Sequence, residues 1–275
     1  MKVDFMIVGA QKCGTTTLFQ ILNSHPLIVG ARSKEPHFFS RSSDWKNELP
    51  QYNELYKETK DALYFEASTS YTFYPLMNLR IWDDIFDYNP HMKFIYIVRS
   101  PIDRIVSGYM HHYERGYTDL SLEEALIKDR LYIDLTRYYT QISPYIKVFG
   151  RNRVLIVDFN DLVCQRQTVL EEISEFLSIN VNQFADNEQL QKNKSIGGYK
   201  MHHKFDSPSI PLKAIQKFLP RLWGKITDNS SRAFSTKPVL SSELKEMIVN
   251  MLELEINELQ KLMKKDLTKW MLVGK

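Results

Sequence analysis

The segment Gly9-Ala10-Gln11-Lys12-Cys13-Gly14-Thr15-Thr16-Thr17 most constrains this chain. It lies between an apolar strand pattern, Phe5-Met6-Ile7-Val8, and a helical pattern beginning near Thr16. A glycine-bearing turn from a buried strand into a helix N-terminus is a phosphate loop, because backbone amides converge there and the helix dipole favours an anion. Its spacing points away from ATP. In the pattern G-x-x-x-x-G-K-[ST] the glycines fall where Gly9 and Gly14 fall, and a lysine follows the second. Here Thr15 follows it and Lys12 precedes it by two places. The loop therefore holds a phosphate-like group by other geometry, with Lys12 at the wrap and Cys13, Gly14, Thr15, Thr16 and Thr17 as the cradle. Helix propensity alone would not choose three β-branched threonines in a row.

A second strand-to-helix turn narrows the ligand. Lys93-Phe94-Ile95-Tyr96-Ile97-Val98 reads as a buried strand, followed by Arg99 and then Ser100-Pro101 as N-cap and first helical residue. Nucleotide hydrolases of the phosphate-loop type end such a strand in an aspartate that helps hold Mg²⁺; a cation stands here instead. Ser107 follows two turns later on roughly the same side, so Arg99 and Ser107 form a clamp for a second, separate phosphate. A nucleotide with phosphate at two ends and no need for magnesium fits 3′-phosphoadenosine 5′-phosphosulfate (PAPS).

The Q-K-C-G-T-T-T-L loop resembles the 5′-phosphosulfate loop of PAPS-dependent sulfotransferases, and V-R-S-P-I-D-R-I-V-S-G-Y resembles their 3′-phosphate motif. Lys34-Glu35-Pro36-His37-Phe38-Phe39 is similar to a segment of the heparan-sulfate branch. Glu66-Ala67-Ser68-Thr69-Ser70-Tyr71 is similar to the E-x-S-P-x-Y turn after the next strand. Asp266-Leu267-Thr268-Lys269-Trp270 resembles an ending common in short bacterial members. The resemblance implies an α/β fold, a P-loop NTPase-like three-layer sandwich with a central parallel sheet, and PAPS as co-substrate with no metal.

Composition agrees with a globular enzyme. With 275 residues, 43% hydrophobic content and no Gly/Ser- or Pro-rich linker, one domain over 1–275 is expected. A net charge of +3 is too small to argue for nucleic acid. No stretch is long enough for a membrane span, and Met1-Lys2-Val3-Asp4 leads directly into a strand without a signal-peptide pattern. Two cysteines, Cys13 and Cys164, make no disulfide framework and suit a reducing compartment, so a cytoplasmic location is expected.

Alternating patterns predict strands at Leu27–Val29, Leu63–Glu66 and Val154–Val157 besides the two above. Helices are predicted from Thr16 to about Ser24, over Leu76–Ile85 and Arg137–Phe149, through Leu170–Leu177, and from Ser241 to Trp270. Ser121 and Glu124 form a capping-box pattern. Residues 187–238 are irregular apart from a stretch near Leu212–Phe218, and are the expected cover over the site.

Sulfuryl transfer requires an acceptor in line with the leaving phosphate oxygen and fixed donors for the charge growing there. Lys12 is the natural donor. An acceptor hydroxyl or amine also needs a base. Glu35 follows a short strand at the edge where parallel-sheet ligands sit, and the resemblance carries the base onto Glu35 and a supporting role onto His37. It also brings Glu66 and Ser70 to the pocket, and Asn193-Lys194-Ser195 near the nucleotide. Ala67 stands where heparan-sulfate 3-O-sulfotransferases place a lysine, which argues against a polysaccharide acceptor; the resemblance to short members implies a hydroxyl or amine of a small molecule, a natural product or a glycan or glycolipid. His111 and His112 point about 100° apart on a helix and make no metal pair. Tyr138, Tyr139 and Tyr145 read as core. Two rivals remain, a P-loop kinase and an inactive nucleotide-binding interaction protein.

Overall fold

The structure, a computed structural model, describes residues 1–184, 234 and 236–272. The irregular stretch near Leu212–Phe218, the Asn193-Lys194-Ser195 feature and nearly all of the expected cover lie outside the described residues.

Five strands, β1 (Phe5–Gly9), β2 (Ile28–Gly30), β3 (Leu63–Ala67), β4 (Lys93–Val98) and β5 (Val154–Asp158), pair in the order β2-β3-β1-β4-β5. All four pairings are parallel. Every residue of β1 and all but the first of β4 are buried, as expected for strands covered by helices on both faces. The chain runs from β1 outward to β2, returns through β3, then crosses to β4 and β5. The strand order therefore switches direction at β1, and an open parallel sheet binds its ligands in the crevice beyond such a switch.

The helices follow the same local logic. Helix α1 (Thr15–Leu22) leaves the phosphate loop, and Pro101 stands at the first turn of α5 (Pro101–Glu114). Between them lie α2 (Phe38–Arg41), α3 (Trp45–Asn53) and α4 (Ile81–Tyr88). After α5 come α6 (Leu122–Lys128), α7 (Leu131–Asp134), α8 (Tyr138–Phe149), α9 (Phe159–Cys164) and α10 (Arg166–Leu177). The Ser121–Glu124 capping box at α6 is present in both directions. One cluster of buried apolar side chains runs from Val3 to Trp270.

Two expectations change. The helix expected over Leu76–Ile85 starts at Ile81, because the Asn78 side chain accepts the Arg80 amide at 2.9 Å and holds a turn before it. The C-terminal helix ends at Met263 rather than Trp270, capped by Lys264 in the left-handed conformation. The region after the Glu35 turn, which shows little periodicity, folds into α2 and α3. Among the described residues no helix is long and apolar enough to cross a membrane.

Candidate active site

All five strands deliver site elements at the same edge of the sheet. β1 runs into the phosphate loop, where Ala10 donates to the Ile97 carbonyl at 2.7 Å. The chain beyond β2 continues alongside β3, with Ala31 donating to Phe65 and Glu35 to Ala67, each at 2.9 Å. β3 opens into the 3₁₀ turn Thr69–Thr72, β4 ends at Arg99, and β5 ends at Asp158 and Phe159.

Gly14 closes the phosphate loop at φ +91°, where a Cβ would stand 2.6 Å from the Phe159 ring. Only glycine fits both constraints. It is also the N-cap of α1, which has no side-chain cap. The first-turn amides of a helix lack intrahelical acceptors, so they suit an anion. Thr15 is buried, whereas Thr16 and Thr17 are exposed. Cys13 turns inward, its sulfur 3.6 Å from the Tyr138 hydroxyl and its amide donating to Ala10 at 3.2 Å. Burial pushes its thiol up to about 11, so it stays neutral.

Lys12 and Arg99 form no ion pair among the described residues. Burial draws the Lys12 ammonium below the usual lysine range; Glu114 opposes this, and Arg115, Arg104 and Arg99 add to it. The Arg99 guanidinium lies over the Phe159 ring, 4.8 Å from its centre. Phe159 therefore packs against the closing glycine of one loop and the cation of the other. Ser107 is half-buried on α5.

Glu35 is held at both carboxylate oxygens. Lys34 donates to Oε1 at 2.6 Å, while the Thr69 amide and hydroxyl both donate to Oε2 at 3.0 Å. His37 Nε2 lies 3.6 Å from the same oxygen, and its Nδ1 lies 2.6 Å from Ser70 Oγ. Burial alone would raise the Glu35 carboxyl, but Lys34, His37 and the Thr69 amide together hold it below the usual glutamate range. The carboxylate is thus ionised at neutral pH. The Lys34 pairing is real, yet Glu35 is no solvated surface group, since its side chain is 19% exposed.

Glu66 corrects one expectation. It does not reach the pocket: it is fully buried and accepts hydroxyl hydrogen bonds from Tyr52 at 2.6 Å and from Tyr71 and Ser68 at 2.7 Å. Burial pushes its carboxyl up to about 7, although the three hydroxyls oppose this. Ser68 in turn accepts the His37 amide at 3.0 Å, and Tyr71 accepts the Phe39 amide at 3.2 Å. Glu66 therefore braces the turn that carries His37. Ser70 does meet the site, through His37.

Two contributors escape sequence reading. Thr69 lies 34 positions from the carboxylate it anchors. His111 is electrostatically coupled to both Lys12 and Glu35; burial, Lys12, Arg115 and His112 push its imidazole down to about 4 against the pull of Glu35, so it is neutral. It lies on α5, within electrostatic reach of the loop that carries Lys12. His112 faces away to the Tyr132 hydroxyl, 2.9 Å from its Nδ1.

The family described as "Sulfotransferase domain" matches residues 2–206. Heparan sulfate glucosamine 3-O-sulfotransferase 5 of Mus musculus is 26% identical over 187 residues, covering 63% of this chain and 53% of that protein. Heparan sulfate glucosamine 3-O-sulfotransferase 3B1 of Mus musculus is 28% identical over 184 residues, covering 63% and 45%. The chain thus spans about half the length of these curated relatives. Among solved structures, a sulfotransferase from Alicyclobacillus acidocaldarius superposes with a TM-score of 0.71 at 24% identity, covering 98% of this chain and 99% of that one, which supports the fold. With both anion loops and the Glu35 turn inside the matched span, the chain belongs to the sulfotransferase domain family.

Proposed function

We propose that this chain transfers a sulfuryl group from PAPS to a hydroxyl or amine of a small-molecule acceptor. One observation carries the reading. The non-glycine residues with positive φ among the described residues are Lys12, Glu35, His37, Asp61, Ser178 and Lys264. Ser178 and Lys264 cap helix C-termini, where that conformation is ordinary. Asp61 lies in the turn just before β3. Lys12 (φ 67°), Glu35 (φ 63°) and His37 (φ 57°) cap no helix C-terminus, and all three stand at the sheet edge beyond the switch point. Backbone strain collected at one site supports a functional demand on it.

The roles follow from the placement. The uncapped first turn of α1 with Thr15, Thr16 and Thr17, and Lys12 beside it, would hold the 5′-phosphosulfate; Arg99 and Ser107 would hold the 3′-phosphate. When bound, PAPS supplies an activated sulfuryl group on a phosphate leaving group. Lys12 meets the negative charge that grows on the leaving oxygen. Glu35, ionised and fixed by Thr69, takes the proton of the attacking acceptor. His37 orients the carboxylate from its side, with its ring set by Ser70. Ala67 is fully buried where the polysaccharide enzymes of the resemblance place a lysine, so the acceptor we propose is a natural product, small glycan or glycolipid. A kinase is disfavoured because Arg99 stands where a metal-holding carboxylate is needed.

Calorimetry with EDTA tests the donor. Adenosine 3′,5′-bisphosphate, the product nucleotide, is expected to bind at least ~10-fold tighter than adenosine 5′-phosphate, about 1.4 kcal/mol. Arg99→Ala should erase most of that difference. Equal affinities in the wild type, or an absolute metal requirement, would sink the reading. Turnover of labelled PAPS across an acceptor panel separates an enzyme from a binding protein.

A further inference from the structure

Beneath the phosphate loop lies a guanidinium that the roles above leave unused. Arg104 projects from the first turns of α5 and is 1% exposed. Its Nη1 donates to the Tyr132 carbonyl at 2.5 Å and to the Thr136 hydroxyl at 2.9 Å. Its Nε donates to the Gln11 carbonyl at 3.3 Å, and Nη2 reaches the Gln11 side-chain oxygen at 3.5 Å. Gly108 leaves room for it, since a Cβ there would stand 3.3 Å from Nη2. Gln11 is the residue before Lys12, so Arg104 grips the loop one residue from its proposed catalytic lysine.

Every hydrogen-bond partner of this buried cation is neutral. Among the described residues it forms no ion pair with a carboxylate. The ionisable groups that most oppose its charge are Tyr138, Cys13, Tyr96 and Tyr132. Burial raises the pKa of each of the four, so none is an anion at neutral pH. Arg104 and Arg99 both act on Lys12 as like charges, against the opposing pull of Glu114. A buried charge without a counterion is costly. Such a cost is sustained where a ligand brings the missing charge.

We infer that Arg104 is the third cation of the donor site: a positioning residue that holds Gln11 from below and whose countercharge is the bound anionic nucleotide. It does not touch the donor. It acts through the loop backbone and through the field it places under the loop, which favours a ligand carrying several negative charges. The inference rests on the PAPS reading.

The experiment compares wild type, Arg104→Met and Arg104→Lys, each by melting temperature and by titration with adenosine 3′,5′-bisphosphate. The empty Arg104→Met protein loses an uncompensated charge but also the donors to the Tyr132 and Gln11 carbonyls, so its melting temperature serves as the folding control. Its nucleotide dissociation constant should rise at least ~10-fold and its ligand-induced melting shift should shrink. Arg104→Lys keeps the charge and should recover most of the affinity. If Arg104→Met does not fold, Arg104→Lys decides alone: a dissociation constant within about threefold of wild type supports the countercharge role, and a larger loss overturns it. An empty Arg104→Met protein that melts lower yet binds like wild type makes Arg104 a packing anchor and overturns the inference. A wild type that binds no bisphosphate overturns the donor reading first, and this inference with it.

Discussion

The Tyr138 hydroxyl donates to the Arg99 carbonyl at 2.9 Å while lying 3.6 Å from the Cys13 sulfur, so one buried phenol on α8 joins the two proposed anion sites. Trp270, from the C-terminal turn after the last helix, contacts the same ring at 6.4 Å between centres. The end of the chain thus packs behind the donor site.

Tyr138→Phe keeps the ring and removes the bridge. A buried carbonyl left without its donor costs about 1–3 kcal/mol; the Arg99 carbonyl is only part-buried, so a loss at or below the lower end should appear in urea unfolding of the empty protein. Because Arg99 would no longer be set against the phosphate loop, discrimination for the 3′-phosphorylated nucleotide should also fall. A variant that keeps both stability and discrimination would show that the hydroxyl couples nothing.

Lys12 and Glu35 should separate kinetically. Lys12→Ala should weaken product-nucleotide binding and slow turnover together, since in the proposed role the ammonium serves the donor in both ground and transition states. Glu35→Gln should bind the nucleotide like wild type while kcat falls by roughly 10²–10⁴. Near-normal turnover in Glu35→Gln would move the base to His37. Because Glu35 is held below the usual glutamate range, its base function is present above its folded pKa and is lost as pH falls through it. The acid limb attributable to Glu35 should therefore lie below pH 4.5 in the pH profile of kcat/KM.

Glu66 should set a stability term of opposite sign. Its folded pKa, about 7, lies above the ordinary 4.5, so its contribution is fully present below pH 4.5 and is lost as pH rises through 7. Comparing wild type with Glu66→Gln cancels the other titrations. The wild-type advantage should shrink by about 3 kcal/mol between acid and pH 8. A pH-independent difference in denaturant unfolding would show that Glu66 does not titrate in this range.

Much of the proposed site is legible locally. The displaced Lys12, the glycine at position 14 and Arg99 after a buried strand are readable because each lies within a few residues of the element that positions it. Helix boundaries near Asn78 and Lys264 are less so, since side-chain turns and a left-handed cap decide them after the periodic pattern has begun. Glu66 misled the motif reading, because spacing alone does not tell a pocket carboxylate from one sealed by Tyr52, Tyr71 and Ser68.

The sequence by itself determined the parallel α/β fold and marked the two loops proposed to hold the donor's anions, because strand and helix periods and the backbone demands of a phosphate loop are short-range properties. Only the tertiary structure decided that Thr69 anchors Glu35, that Tyr138 ties Arg99 to Cys13, and that Arg104 lies buried under Gln11 with no carboxylate partner among the described residues. Those contacts join segments 34, 39 and 93 residues apart. They exist because the strand order β2-β3-β1-β4-β5 brings the ends of distant strands to one edge, and burial there removes the water that would otherwise satisfy each group.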